Sequence, residues 1–174
     1  MPKLETLTLR VTNPGAQRQF YRDVMGMQEL EDGRLRYSDE EAAMAFVPVE
    51  KAYEPQKSNL YWKIAIAVPY LDLACEQLAV KGVAVTEPHQ FRDVGYLAHT
   101  SDPEEFSIEL IEHWFEGERP DASYDETLLG GGPHFNLITL RTSDIDAVQP
   151  EIFAWGMKPL SVQPVEPYGF TLYF

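Results

Sequence analysis

The sequence has few of the features that mark secreted or membrane-bound proteins. Its 174 residues include one cysteine, so no internal disulfide can form. It has no uninterrupted run of about eighteen apolar residues. The opening segment MPKLETLTLRV also lacks the basic stretch and apolar run of a signal peptide. These absences predict a cytoplasmic protein with no membrane partner.

Positive charge is scarce as well. The chain has 14 lysine and arginine residues against 28 aspartate and glutamate residues, a formal net charge of −14. Such a surface repels a phosphate backbone, and the basic residues are dispersed along the chain and do not form a cluster. We therefore expect no nucleic-acid partner.

Common catalytic motifs are missing too. The sequence has no phosphate-binding loop, no dinucleotide fingerprint and no pattern of a serine or cysteine triad. Cys75 lies in the helical pattern LDLACEQLAV, which is typical of a small buried apolar residue. The histidines lack the spacing of a helical zinc site, and we interpret each as an ordinary surface or hydrogen-bonded side chain: His89, His99, His113 and His134.

What the sequence does have is repetition. LETLTLRV alternates apolar and polar residues, the period of a strand with one buried face. Asn13 and Pro14 are typical of a helix start, and Gly26 marks the helix end. MQELED, RLRYSD and EAAMAFVPV then predict three strands. Residues 1–50 are therefore predicted to form a βαβββ unit.

The same order follows twice more. In residues 59–113, LYWKIAIAV predicts a strand, YLDLACEQLAVKG a helix, and VAVTEP, VGYLAHT and FSIELIE three strands, the last two joined by the turn SDPEE. Residues 114–133 are acidic and rich in glycine and proline, as linkers are. FNLITLRTSD then repeats TLRVTN of the first unit, and residues 134–174 predict a partial βαββ unit.

These segments carry a family resemblance. RVTNPGAQRQFYRDVMGM and DPEEFSIEL resemble the first strand and helix, and the closing hairpin, of the vicinal oxygen chelate superfamily of glyoxalases, bleomycin resistance proteins and extradiol dioxygenases. The third unit is similar to the opening of lactoylglutathione lyases (glyoxalase I). The resemblance implies an α+β fold of paired βαβββ units that form a cup-shaped mixed sheet with outer helices around a ligand cleft. Residues 1–113 would be one complete domain, and residues 134–174 the start of a second. Glu105 stands where the family's hairpin usually has glycine.

Strand periodicity then assigns residues to the cleft. In the implied fold the helix covers the apolar face of each sheet, so the alternate residues face the ligand. The predicted ligand-binding residues are Thr6, Thr8, Arg10, Lys63, Ser107, Glu109 and Ile111. Glu109 is unusual because a carboxylate on this face must be paired, hydrogen-bonded or bound to a metal.

The resemblance also implies a test for a metal site. In metal-dependent relatives, this glutamate binds the metal together with side chains from the first strand of each unit and from the fourth strand of the first. The corresponding positions here hold Thr6, Lys63, Ala45 and Leu137, so Glu109 alone is retained. A protonated lysine is a poor metal ligand. We therefore favour no cofactor and predict an ion pair between Lys63 and Glu109.

Two functions of different class stay open. The first is a metal-free module that binds a small molecule in the cleft. The second is a metal-dependent lyase, isomerase or dioxygenase that uses zinc, nickel, manganese or iron, with Glu109 as its catalytic ligand and His113, His134 or a second chain supplying the missing ligands. The apolar terminal segment GFTLYF would expose a strand edge. We expect the first two units or the third unit of a partner chain to cover it, and we favour the partner in a homodimer. The alternative is a longer parent protein with a fourth strand and a fourth unit.

Overall fold

The chain was analysed as a computed structural model, which describes residues 4–52, 54, 61–92, 95–113, 132–157, 162–163 and 172–173. Its contacts group Leu4–Arg141 into one compact unit and place Thr142–Phe174 in another. Most of the predicted linker, residues 114–133, lies outside the described residues, as does part of the predicted strand KPLSVQPV. The division into two domains at this linker stays a prediction.

The first repeat has the predicted order of elements. Asn13 Oδ1 accepts a hydrogen bond from the N–H of Ala16 at 3.0 Å, which caps the helix as its sequence predicts. Gly26 ends the helical segment with φ of +80°. The elements are β1 (Thr6–Val11), α1 (Pro14–Gln19) continued by a π-helical turn (Phe20–Val24), β2 (Gln28–Glu29), β3 (Leu35–Arg36) and β4 (Ala43–Pro48).

The second repeat follows the same order with one difference. Its elements are β5 (Tyr61–Ala67), α2 (Leu71–Val80), β6 (His89–Phe91), β7 (Gly95–Ser101) and β8 (Ser107–His113). The prediction of a strand at VAVTEP is wrong, because β6 begins after this segment. Isolated hydrogen bonds hold the segment beside β7 in place of a strand ladder: Thr100 Oγ1 donates to the carbonyl of Ala84 at 2.8 Å, and the N–H of Thr86 donates to the carbonyl of His99 at 2.9 Å.

The third repeat is partial, as predicted. It consists of β9 (His134–Leu140), α3 (Ile145–Ala154), β10 (Val162–Gln163) and β11 (Leu172–Tyr173), with β10 and β11 antiparallel. Asp144 caps α3 by accepting from the N–H of Ala147 at 3.0 Å. The predicted α+β fold of βαβββ repeats with a partial third repeat is confirmed. No helix in the described part of the chain has the length and apolar character needed to cross a membrane.

Strand β9 joins the sheet of the second repeat. The larger unit contains one sheet of order β1-β4-β3-β2 and another of order β6-β7-β8-β5-β9. Within each repeat the first strand is parallel to the fourth, whereas β5 and β9 are antiparallel, with Ile64 opposite Ile138. The sequence analysis grouped β9 with the residues that follow it. The hydrogen bonds of the strand attach it to β5.

The two sheets share one apolar core. Each contributes alternate residues from the first and fourth strands of its repeat: Leu9, Val11, Met44 and Phe46 from the first sheet, and Ile64, Ile66, Ile108 and Leu110 from the second. Phe20 and Tyr21 of the helical segment also belong to this core. Because side chains alternate along a strand, Thr8 and Lys63 lie on the faces that turn away from it.

Asp102 joins the two repeats at the turn SDPEE. Its Oδ1 accepts from the N–H groups of Glu104 at 2.9 Å and Phe106 at 3.0 Å, and its Oδ2 accepts from the hydroxyl of Tyr21 at 3.1 Å. Burial raises the pKa of the Asp102 carboxyl, although these hydrogen bonds oppose the rise. The hydrogen bonds therefore offset the desolvation cost of the carboxylate, which connects the two repeats.

The next residues of the turn continue this connection. The Glu104 carboxylate accepts from the N–H of Thr12 at 2.8 Å and from the N–H of Asn13 at 2.7 Å, just before α1. Glu105 has φ of +66°, the left-handed conformation that explains why glycine is usual here in the family. The turn of the second repeat thus holds the start of the helix of the first.

We predict that Asp102→Ala lowers the free energy of unfolding by about 2–3 kcal/mol, because it leaves two turn N–H groups without their acceptor. Asp102→Asn is the matched control. Its amide oxygen keeps both turn bonds and removes a desolvated charge, so its stability at pH 7 stays within about 1 kcal/mol of the wild type. Urea denaturation measures both values. Equal losses in the two variants would contradict this role for the turn.

Candidate functional site

The strand register brings Lys63 and Glu109 together. In the parallel pair of β5 and β8, Lys63 lies opposite Ser107, and Ala65 lies opposite Glu109. The four side chains share the face that turns away from the core. Lys63 Nζ donates a hydrogen bond to Glu109 Oε2, which confirms the predicted ion pair. The two residues are 9% and 6% exposed, so the pair is nearly withdrawn from water.

His99 is a third member of the site, and the sequence analysis missed it. The antiparallel pairing of β7 and β8 places His99 opposite Glu109. Its Nε2 lies 3.1 Å from Lys63 Nζ and 3.2 Å from Glu109 Oε2. The signal was in the turn SDPEE: once Ser101 and Ser107 pair across it, counting two residues outward on each strand pairs His99 with Glu109.

Lys63 and His99 favour the ionised form of the Glu109 carboxyl. Burial alone would raise the pKa of its carboxyl, but the hydrogen bond from His99 and the positive charge of Lys63 outweigh burial, and the pKa is lowered. When His99 Nε2 carries a proton, it donates to Glu109. When Nε2 is bare, it accepts from Lys63. The cluster can therefore exchange hydrogen bonds without a change of backbone.

An open depression lies beside this cluster. It has a volume of about 350 Å³, and its lining includes Thr86, His99, Ser101 and Ser107. The His99 side chain is 34% exposed, whereas that of Glu109 behind it is 8% exposed. Both backbone groups of His99 form hydrogen bonds with Thr86. The N–H of His99 donates to Thr86 Oγ1 at 2.8 Å, and its carbonyl accepts from the N–H of Thr86 at 2.9 Å. His99 thus connects the depression with the buried ion pair.

The donor set does not fit the divalent metal of the enzymes that this fold resembles. The Lys63 ammonium occupies a Glu109 oxygen, and Leu137, at another implied ligand position, lies opposite Ala65. A cation held against the carboxylate repels a second cation. Among the described side chains, no three histidine, cysteine, aspartate or glutamate residues are grouped closely enough to hold a metal ion.

The two histidines considered as replacement ligands lie farther along the sheet. His134 of β9 lies opposite Ala67 of β5 and is exposed. The backbone of His113 pairs with Gly95, at the far end of β8 from Ser107, and its side chain lies outside the described part. Ile111 is buried opposite Leu97.

The remaining predicted cleft residues lie on the first sheet. Thr8 and Arg10 are exposed, and Thr6 Oγ1 accepts from Arg34 Nη1 at 3.0 Å. The sequence analysis placed these residues in one cleft with Lys63. In the structure β5 has β8 on one side and β9 on the other, so β1 cannot extend the second sheet next to it. The site therefore centres on the second sheet.

Solved structures with a similar fold include binding proteins and enzymes. TnmS3, an antibiotic binding protein from Streptomyces, is 20% identical, with 66% of this chain and 98% of that chain covered and a TM-score of 0.53. A glyoxalase I mutant from Zea mays is 19% identical, with 98% and 62% covered and a TM-score of 0.73. A glyoxalase/dioxygenase from Nostoc punctiforme is 19% identical, with 63% and 89% covered and a TM-score of 0.52. At these identities the similarity is one of fold.

The sequence comparisons identify the family. This chain spans about 62% of the length of the maize glyoxalase I. No curated protein sequence matches it. The sequence profile of one family matches residues 3–110, which is more than half of the chain and covers most of both complete repeats, including Lys63, His99 and Glu109. The chain belongs to the Glyoxalase/Bleomycin resistance protein/Dioxygenase superfamily.

Proposed function

We propose that this protein binds a small molecule in the depression beside His99, without a bound metal. One observation carries the proposal: the His99 imidazole contacts both charges of a buried Lys63–Glu109 pair and also lines the open depression. The lysine provides a fixed positive charge at the carboxylate that binds the metal in metal-dependent relatives. A ligand in the depression meets an imidazole that can donate or accept a hydrogen bond.

The chemistry of the lining indicates the kind of ligand. Thr86, Ser101 and Ser107 line the depression together with His99, and their hydroxyl groups can donate and accept hydrogen bonds. Lys63 and Glu109 cancel each other's charge behind it. The lining therefore suits a polar ligand with little net charge, fixed by hydrogen bonds and by shape.

The similar structures are compatible with this proposal and with its alternative. TnmS3 is an antibiotic binding protein, and a binding role fits a site whose metal ligands are replaced. The alternative is a metal-dependent lyase, isomerase or dioxygenase, the class to which the maize and Nostoc proteins point. Similarity of fold does not transfer that chemistry, since function depends on the site residues. Here those residues favour binding.

We also propose a homodimer in a reducing cytoplasm. Cys75 lies on α2 as a free thiol whose pKa is raised by burial, so it is not activated as a nucleophile. Two-fold symmetric dimers are the commonest oligomers of identical subunits.

The proposed function predicts which residues respond to ligands. In a fragment screen by two-dimensional NMR on chelator-treated protein, fragments that bind shift the amide signals of Thr86, His99 and Ser107. His99→Ala weakens the best fragment roughly tenfold, as expected for the loss of one hydrogen bond worth about 1.4 kcal/mol. Thr8→Ala, on the exposed face of the first sheet, is the matched control and leaves the affinity unchanged.

Two results would contradict this function. Binding that requires added zinc, nickel, manganese or iron would restore the metal-dependent enzyme. Fragment shifts centred on Thr8 and Arg10, with the His99 region unmoved, would place the ligand site on the other sheet.

The ion pair predicts an asymmetric stability series. Lys63→Met leaves the Glu109 carboxylate buried without its strongest cation and lowers the free energy of unfolding by about 3 kcal/mol at pH 7. Glu109→Leu leaves the Lys63 ammonium buried without its partner and lowers the free energy of unfolding by a similar amount. The double variant Lys63→Met/Glu109→Leu lies within about 1 kcal/mol of the wild type, because an apolar pair of similar volume needs no compensation. Urea denaturation measures the three values.

The chain contains an exposed ion pair for comparison. Lys51 Nζ lies 3.3 Å from Glu54 Oε1, and both side chains are largely in solvent. Lys51→Met therefore changes the stability by less than about 0.5 kcal/mol. Single and double variants at positions 63 and 109 that all behaved like this control would show that the pair is not buried in solution.

A further inference from the structure

The His99 imidazole uses one ring nitrogen for the buried pair and leaves the other for a ligand. Nε2 lies 3.1 Å from Lys63 Nζ and 3.2 Å from Glu109 Oε2. None of the described residues forms a hydrogen bond with Nδ1, and this nitrogen is not sealed from solvent. Because the two nitrogens lie on different sides of the ring, Nδ1 is the polar atom that the side chain offers to the depression.

The buried pair influences which of the two nitrogens carries the proton. A neutral imidazole has one N–H and one bare nitrogen. Among the described residues, only Lys63 and His99 can donate to the Glu109 carboxylate, and this side chain is 8% exposed. A bare Nε2 would leave the buried charge with a single donor and would turn a lone pair toward it.

A proton on Nε2 removes both problems at the carboxylate. The N–H then gives Glu109 a second hydrogen bond, which is strengthened by the negative charge of its acceptor. Lys63 keeps Glu109 as its counter-ion in either tautomer. The contacts of the cluster therefore favour the tautomer with the proton on Nε2, in which Nδ1 is bare and can only accept a hydrogen bond.

The hydroxyl groups of the depression add donors to this acceptor. Those of Ser101 and Ser107 can rotate to donate or to accept. Thr86 Oγ1 already accepts from the N–H of His99 at 2.8 Å, and its own hydrogen has no acceptor in the described part of the chain. The lining thus combines one fixed acceptor, Nδ1, with the available O–H of Thr86.

We propose that the depression takes an uncharged ligand that carries an N–H donor next to a carbonyl acceptor, as lactams and cyclic imides do. The N–H of the ligand donates to Nδ1 of His99, and its carbonyl accepts from the hydroxyl of Thr86. Glu109 is a positioning residue, because it selects the tautomer of His99 without touching the ligand. This inference rests on the proposed function, since it names the ligand class of the same depression.

Nitrogen-15 NMR of the histidine ring determines the tautomer in the full chain without a ligand. At about pH 8, where histidine side chains are ordinarily neutral, we expect a protonated Nε2 and a bare Nδ1 for His99. In the Lys63→Met/Glu109→Leu variant Nε2 loses both partners, so the form with the proton on Nδ1 becomes detectable. A merely structural role of the pair would leave the ring signals unchanged. A wild type with the proton on Nδ1 overturns the inference.

A matched pair of small molecules tests the ligand class. Pyrrolidinone and butyrolactone share a five-membered ring and a carbonyl, but the lactone has an oxygen where the lactam has its N–H. On chelator-treated protein, we expect the lactam to shift the amide signals of Thr86, His99 and Ser107, and the lactone to bind roughly tenfold more weakly. In His99→Ala the two bind equally, because the acceptor for the N–H is gone.

The possible failures can be told apart. Equal affinities of lactam and lactone in the wild type, with the shifts at Thr86, His99 and Ser107 retained, overturn this inference and leave the proposed function standing. A preference for the lactam that persists in His99→Ala assigns the acceptor to another group and overturns the role of Nδ1. If no fragment of any class shifts these three amide signals, the proposed function and this inference are both wrong.

Discussion

The buried ion pair of Lys63 and Glu109 constrains the second repeat. Two charges that are almost out of water must face each other, because a buried charge without its partner costs about 3–5 kcal/mol. That requirement favours one register of β5 against β8. A shift of one residue would turn Glu109 into the apolar core beside Ile108 and Leu110. The polar site and the apolar core are thus fixed by the same alternation.

The same constraint explains how a common fold acquires a different site. Three adjacent strands, β7, β8 and β5, each supply one side chain, so the cluster stands on rigid elements. In the proposed function, Lys63 stands at a position that holds a metal ligand in metal-dependent relatives and supplies the positive charge beside Glu109. The scaffold is that of the superfamily, while the proposed function depends on this lysine. His99 then gives the buried charges an exposed contact.

Local signals predicted most of the fold. The Asn13 cap and Gly26 define the helical segment of the first repeat, and Gly26 adopts φ of +80°. The predicted strand at VAVTEP failed because alternation cannot distinguish a paired strand from a segment held by isolated hydrogen bonds, as from Thr100 and to His99 here. The pairing of β9 with β5 was not predicted, since no local pattern shows which strand an edge will accept.

The site was predictable only in part, because local patterns do not show which strands pair with each other. Lys63 and Glu109 could be placed together because the family resemblance implies that the first strand of a repeat lies beside the fourth, and both residues are charged on an apolar background. His99 was not recognised, since its role depends on counting across the hairpin to Glu109. The exposed residues Thr8 and Arg10 were assigned to the same cleft because the sequence does not reveal that β9 occupies the second edge of β5.

A titration of the Glu109 carboxyl by carbon-13 NMR tests the central claim most directly. If Lys63 and His99 hold the carboxylate in its charged form, its midpoint lies below the ordinary value of 4.5 and moves upward in Lys63→Met, as burial then meets less opposition. The stability that this group contributes is accordingly present above pH 4.5 and is lost as the pH falls through the lowered midpoint. A wild-type midpoint at or above 4.5, unchanged in Lys63→Met, would show that lysine does not stand in for the metal.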